Sequence, residues 1–442
     1  MQQLTFTPMR SIPAEADYGQ KDVLVVFGEV FGKGYVNGII EEAARRGMKI
    51  VGSTVGRREA EAGLRPLTSE ELAQSKALAP FTHFINRPLE AGFDMEKSQK
   101  GRSPCDQLKG VKMDEWDQIP IDWEEIAQSE AAGHERFVGQ VRAWMSELQP
   151  HLAGARKILF VHTMAGGVPR AKIMMPTMNK IFKGRGDRHL SSEKFWNSSL
   201  GKVCEKTFNA VTADTFRVLL EQTASVRAAQ DCAYVAYGYH GTEILTAPTG
   251  DYTWQTYAPY VQGWAKMRLE GIASEYSAKG VKATVYNCPE ILTNSSNLFN
   301  GVELPLYPFL AALQRESKAM GRANVWAQIE AKAQSLMKEG VTLSSQVQKS
   351  QAFFQNPIMT SLRSYAGFPQ HNWPAQMDLM LQSADEVQEG EADGSRETML
   401  YLSRLIFDAT GRLMLADAAK PLAPVSWLGH DILAKCILNS MG

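Results

Sequence analysis

With 442 residues, 44% of them apolar and 21% charged, and a formal net charge of −1, the chain is long enough to bury an extensive core and has no overall pull toward nucleic acid or an acidic membrane. No apolar run approaches the roughly 18 residues of a spanning helix, and the start of the chain lacks the basic and apolar regions of a secretory signal, so a cytoplasmic location is expected. Five cysteines (Cys105, Cys204, Cys232, Cys288 and Cys436) are scattered and never spaced C-x-x-C, which predicts free thiols and no metal site.

Val23–Phe27 is a short continuous apolar run, as a parallel strand buried on both faces requires. The spacing of Val36, Ile39, Ile40 and Ala43 predicts a helix over 35–46, Gly47 ends it, and 48–51 reads as a second strand, completing one βαβ unit. Further strands are predicted at 83–86, 158–162, 233–237 and 282–286, with a last, weaker signal at Leu413-Met414-Leu415. Helical periodicity runs over 123–148, 202–229, 260–278 and 395–407. Strands alternating with long helices predict an α/β fold, a Rossmann-like doubly wound parallel sheet with helices on both faces. One domain is expected, with its core over about 20–420. The excess length falls in insertions at about 94–122, 168–200 and 341–395. The second insertion is rich in Lys and Arg, and the third contains an acidic run from Asp385 to Asp393.

Gly28, Gly32 and Gly34 stand where the first strand turns into the first helix, with Phe31 in the same turn. A pyrophosphate needs backbone N–H groups with no Cβ in the way, and the positive end of a helix favours its charge. A tight turn without a ligand would use the same glycines, but the strand-to-helix placement is the context that favours a dinucleotide. An acid at the end of the second strand would accept the ribose hydroxyls of NADH. Here Gly52-Ser53-Thr54-Val55-Gly56-Arg57-Arg58 offers no carboxylate until Glu59. The paired Arg57 and Arg58 are either a solvated pair or a bidentate grip on a 2′-phosphate, and the reading adopted is NADPH over NADH.

Hydride addition to a polarised substrate leaves negative charge on an oxygen, which a phenol can stabilise and a nearby ammonium can assist. Lys266 is the candidate ammonium, and Tyr239, Tyr257 and Tyr260 are the candidate phenols. The Y-x3-K spacing of ordinary short-chain reductases is absent, because that position holds Gln262. Pro259 suits a first helical position, which leaves Tyr257 on the preceding loop and puts Tyr260 inside the helix.

These segments resemble the enoyl-acyl-carrier-protein reductases, a divergent branch of the short-chain dehydrogenase/reductase superfamily, to which the G-x-x-x-G-x-G spacing of Gly28, Gly32 and Gly34 is also similar. Gly238-Tyr239-His240-Gly241-Thr242-Glu243 is similar to that branch's S-Y-x-G-x-E context, and Tyr257 to Lys266 has the Y-x8-K spacing of its long members. Cys288-Pro289-Glu290-Ile291-Leu292-Thr293 resembles a P-G-x-I-x-T segment beside the nicotinamide, with its glycine absent. His162-Thr163-Met164-Ala165-Gly166-Gly167 stands in the place of N-N-A-G and retains only Ala165 and Gly166. Residues 410–417 resemble the superfamily's final strand.

The resemblance implies reduction of the 2,3 double bond of an enoyl thioester, on acyl carrier protein or coenzyme A. Tyr257 would stabilise the enolate, Tyr239 would orient the thioester carbonyl, Lys266 would anchor the ribose, and Tyr260 is the fallback phenol. Pro289, Ile291 and Thr293 would line the nicotinamide. Two alternatives stand beside it: a ketoreductase using the same groups, and an NADP-binding regulatory module without catalysis. Leu304–Leu310 is read either as a lid over an acyl tunnel or as plain helix packing. The basic 168–200 segment is read as a receiver of acidic carrier protein or coenzyme phosphates, or as a solvated loop. A homo-oligomer is compatible with this reading.

Overall fold

The computed structural model describes residues 7–59, 63–239, 241–255, 261–294, 300–360, 374–392 and 396–441. Its strands, in chain order, are β1 (Val23–Phe27), β2 (Lys49–Thr54), β3 (Arg57–Glu59), β4 (Gly63–Arg65), β5 (His83–Pro88), β6 (Lys157–His162), β7 (Asp231–Gly238), β8 (Thr242–Leu245), β9 (Tyr252–Gln255), β10 (Lys282–Asn287) and β11 (Val425–Trp427). Seven of them form one parallel sheet in the order β11-β10-β7-β6-β1-β2-β5. The chain leaves β1 in one direction to reach β2 and β5, then returns to β6 on its other side. That reversal opens a crevice at the carboxyl ends of β1 and β6, where open α/β sheets bind ligands.

The pleat of β1 explains why both faces are covered. Leu24 and Val26 join the core under the helices Val36–Arg45, Glu397–Ala418 and His430–Ser440. Val23, Val25 and Phe27 join the opposite core, under Trp123–Leu152, Thr215–Gln222 and Gly263–Ala278. All five strand residues are buried. Alternate side chains of a strand point to opposite faces, so a strand packed on both sides must be apolar throughout. The predicted Rossmann-like doubly wound sheet is therefore the observed one.

The final strand is not where the sequence pointed. Leu413-Met414-Leu415 lies inside the Glu397–Ala418 helix, and the last strand is β11, Val425–Trp427. A short apolar run does not distinguish a strand from a helix buried on most of its circumference, and Leu402, Ile406, Ala409, Leu413, Met414 and Leu415 are all buried. This helix crosses Val36–Arg45 at two glycines. A Cβ on Gly411 would lie 2.1 Å from the carbonyl carbon of Gly38, and one on Gly38 would lie 1.9 Å from the Phe407 oxygen.

The 202–229 helix is interrupted by a π-helical turn, Asn209–Asp214. The 304–310 stretch is packing rather than a lid. Leu304, Leu306, Tyr307 and Phe309 are fully buried, and Tyr307 Oη donates to Glu391 at 2.7 Å. In the basic segment, Arg170 pairs with Glu90 and Arg185 with Asp385, so part of its charge is spent inside the molecule.

Candidate functional site

A cavity of about 380 Å³ opens at the carboxyl ends of β1, β6 and β7. The β1 turn contributes Phe31, Lys33, Gly34 and Tyr35, and the segment after β6 contributes Thr163, Met164, Ala165 and Gly166. Lys266 enters from the Gly263–Ala278 helix, and Glu290, Ile291 and Thr293 from the segment after β10. These four stretches are far apart in sequence and meet because their strands are neighbours in the sheet.

Gly28 leaves the end of β1 with φ +127°, and a Cβ there would lie 2.4 Å from Thr163 Oγ1. Thr163 in turn donates from Oγ1 to the main-chain oxygens of Phe27 and Glu29, both at 3.3 Å, tying the β1 turn to the β6 turn. The first turn of the following helix is fixed by Asn37 Nδ2, which donates to Phe31 O at 3.0 Å. Gly34 faces the cavity, and among the described residues no heavy atom lies within 4 Å of a Cβ placed there. This is an open cradle at a helix start, the geometry that suits a diphosphate. The opposite rim is set by the π-helical turn. Thr212 Oγ1 accepts from Gly166 N at 3.2 Å and donates to Gly166 O at 3.1 Å.

Lys266 is buried, and its Nζ donates to the main-chain oxygen of Tyr237 at 2.6 Å. Burial lowers its pKa from the ordinary 10.5 to about 8. Tyr239 also reaches the cavity wall, but its Oη donates to Glu290 Oε1 at 2.5 Å. Thr242 Oγ1 donates to the other carboxylate oxygen at 3.1 Å. Glu290 is 5% exposed, and burial lifts its pKa from 4.5 to about 7. His162 accepts or donates at Thr215 Oγ1, 2.8 Å away, and burial, then the Lys266 charge, lower its pKa to about 3, so the ring is neutral. The Tyr237 hydroxyl is buried with no hydrogen-bond partner among the described residues, while its ring stacks on Tyr35.

Of the residues singled out in the sequence, Phe31, Gly34, Ala165, Gly166, Tyr239, Lys266, Ile291 and Thr293 line this cavity. Gly28 shapes the turn behind it, and Gly32 and Pro289 lie in the adjoining backbone rather than in the lining. Tyr257 and Tyr260 lie outside the described residues. Arg57 and Arg58 sit on the β3–β4 hairpin and are not themselves in the lining, although Arg57 holds the lining residue Glu29, and both face carboxylates. Arg57 Nη2 donates to Glu29 at 2.8 Å, and Arg58 Nη2 donates to Glu90 at 2.8 Å. Glu243, part of the tyrosine motif, is held by a bidentate Arg10 at 2.9 Å and ties the N-terminal segment to β8.

Sequence reasoning missed Glu290 and Tyr237. For Glu290 a signal existed, since a carboxylate stood where the resembling segment has glycine. For Tyr237 there was none, because an aromatic inside a strand run reads as core. One side of the cavity is apolar: Val168, Met175, Met178 and Phe182 come from the 168–200 segment, and Val261 faces them. Among the described residues no cluster of metal-ligating side chains exists, and no helix is long and apolar enough to cross a membrane.

Comparison with known proteins follows the geometry. Residues 5–437 match the family described as "Enoyl-acyl carrier protein reductase FabMG". A solved apo structure of FabMG is 41% identical, with TM-score 0.90 over 99% of each chain. An NADH-bound FabMG structure is 38% identical, with TM-score 0.78 over 99% of this chain and 100% of that one. No match was found among curated proteins. A nucleotide cradle, a buried lysine and a phenol–carboxyl cluster in one crevice, with a match along nearly the whole chain, lead to one assignment: this chain belongs to the FabMG family of enoyl-acyl carrier protein reductases and is an NAD(P)H-dependent oxidoreductase.

Proposed function

We propose that the chain reduces the 2,3 double bond of an enoyl thioester carried on acyl carrier protein or coenzyme A, with NADH as the preferred cofactor. The observation that carries this reading is the joining, in one cavity, of the open Gly34 cradle, the buried Lys266 and an apolar arm formed by Met175, Met178 and Phe182. The cradle and the first turn of the Val36–Arg45 helix would hold the diphosphate, Lys266 the ribose, and Ile291 and Thr293 the carboxamide end. A reduced nicotinamide bound there supplies the hydride.

The chain's own groups do the rest. The apolar arm receives the acyl chain and excludes water from the reacting carbons. Lys266, fixed on the Tyr237 carbonyl, holds positive charge near the site at neutral pH. Tyr257, at Y-x8-K from Lys266, is proposed to stabilise the enolate oxygen by a hydrogen bond, with Tyr260 as the fallback and Tyr239 beside the thioester. The family match over residues 5–437 supports reading the chain as one reductase unit.

The preference for NADH replaces the expectation of NADPH drawn from Arg57 and Arg58. With Glu29 on one guanidinium and Glu90 on the other, neither arginine is poised for a 2′-phosphate, and the Glu29 carboxylate adds repulsion close to the nucleotide turn. The solved NADH-bound relative is consistent with this choice.

The decisive experiment follows NADH absorbance with purified protein and either a 2-enoyl-CoA or a 3-ketoacyl-CoA. Oxidation with the enoyl substrate is expected; consumption with the ketone alone would replace this reading by ketoreduction. Binding of NADH without turnover of either substrate would favour a regulatory module. Tyr257→Phe should lower kcat while sparing NADH binding, and an unchanged kcat would move the donor to Tyr260.

A further inference from the structure

The mechanism above leaves one buried acid in the cavity wall without a role. Glu290 stands on the segment after β10, where it can meet only what the neighbouring strands bring to it. Tyr239 comes from the end of β7 and Thr242 from β8, and their hydroxyls occupy its two oxygens at 2.5 and 3.1 Å. Among the described residues no arginine, lysine or histidine pairs with it, and burial is the main cause of its raised pKa. Three other charged or titratable side chains of the lining are engaged elsewhere: Lys266 on Tyr237 O, His162 on Thr215 and Glu29 on Arg57, while Lys33 lines the cavity from the β1 turn. A carboxyl held by hydroxyls rather than by cations in an apolar wall loses charge stabilisation and gains capacity to carry a proton.

We infer that Glu290 and Tyr239 form a proton relay, in which the buried carboxyl recharges the phenol that delivers a proton to the substrate oxygen. The inference rests on the enoyl-reduction reading and adds a residue to it. When the electron pair of the hydride forms the new C–H bond at Cβ, the π electrons move onto the thioester oxygen as an enolate. That oxygen, held by a hydrogen bond from Tyr257, takes its proton from Tyr239 Oη, and Tyr239 takes the Glu290 carboxyl proton in exchange. The enol returns to the thioester with the proton placed at Cα, and the Glu290 carboxylate is reprotonated from solvent. The phenol is never left as a phenolate, because the protonated carboxyl donates back across the 2.5 Å contact in which the Tyr239 hydroxyl otherwise donates to Glu290 Oε1. Only the protonated carboxyl can serve, so the relay operates below the Glu290 pKa of about 7 and is lost as pH rises through it.

The test uses the full chain, NADH and a 2-enoyl-CoA, with kcat measured from about pH 5.5 to 9 and NADH affinity followed by fluorescence. Wild type should lose kcat on the alkaline side of neutrality. Glu290→Gln should remove the limb near pH 7, leaving only the later fall that Lys266 sets near pH 8, and lower kcat on the order of 10²-fold at pH 6, with NADH affinity and Tm retained. Glu290→Asp, which keeps an ionisable acid, should restore the limb. A Glu290→Gln enzyme with wild-type kcat, or with lowered kcat on an unaltered pH profile, would overturn the relay and leave Glu290 as structural. If Glu290→Gln fails to fold, Tyr239→Phe decides: loss of the limb supports the relay, and retention of both kcat and limb overturns it. Absence of enoyl turnover in wild type overturns the reduction reading itself, whereas wild-type turnover with an unaffected Glu290→Gln overturns the relay alone.

Discussion

The Arg57 guanidinium lies against the Glu29 carboxylate, Nη2 to Oε1 at 2.8 Å and Nη1 to Oε2 at 3.1 Å. The contact joins the β3–β4 hairpin to the turn after β1. It converts an arginine that looked available for phosphate into one half of a bidentate ion pair, and it leaves a carboxylate beside the nucleotide cradle.

From that pair follows the cofactor prediction. In steady-state rates at fixed enoyl substrate, kcat/KM for NADH should exceed that for NADPH by about tenfold or more, since opposing a buried like charge costs well over 1.4 kcal/mol. Glu29→Gln should narrow the gap by freeing Arg57 for a 2′-phosphate. Equal wild-type rates with both cofactors would refute the role given to Glu29.

Two glycines in the same turn should respond differently to alanine. Gly28→Ala places a methyl 2.4 Å from Thr163 Oγ1 at a backbone φ of +127°, so a loss of about 2–4 kcal/mol in urea unfolding is expected. Gly34→Ala meets no atom of the described residues within 4 Å and should leave stability within about 0.5 kcal/mol. NADH affinity should nonetheless fall roughly tenfold, because the methyl enters the cradle. Wild-type affinity in Gly34→Ala would remove the diphosphate from this position.

Lys266→Met should separate stability from catalysis. The folded-state pKa of about 8 lies below the ordinary 10.5, so between those values the unfolded chain binds more protons and wild-type stability rises with pH. The methionine variant should lose that alkaline rise in Tm, while kcat with enoyl-CoA falls on the order of 10²-fold or more. A variant that kept both the rise and the activity would place the lysine outside the machinery.

The crossing of Gly38 and Gly411 carries a prediction about the fold alone. Gly411→Ala forces a methyl to within 2.1 Å of main chain, and neither helix can retreat without opening the core on that side of the sheet. A destabilisation of about 3 kcal/mol or more is expected in chemical denaturation, with NADH affinity at low denaturant near wild type. A neutral effect would mean the helices do not touch there.

The sequence by itself determined the sheet and the place of its crevice. Val23–Phe27, the 36–45 helix and the strands after 157, 231 and 282 are written in short-range patterns, because burial on both faces of a strand demands an apolar run and a turn at its end. It also marked Gly28, Gly34, Tyr239 and Lys266, whose chemistry or backbone freedom shows in residue type and spacing. Only the tertiary structure decided what each group faces. Arg57 and Arg58 meet Glu29 and Glu90 from distant segments, Leu413–Leu415 is helical because helices cover it, and Glu290 acquires Tyr239 and Thr242 because β7, β8 and the segment after β10 converge. A side chain's charge state and hydrogen-bond partners depend on neighbours supplied through space, and one-dimensional spacing carries no record of them.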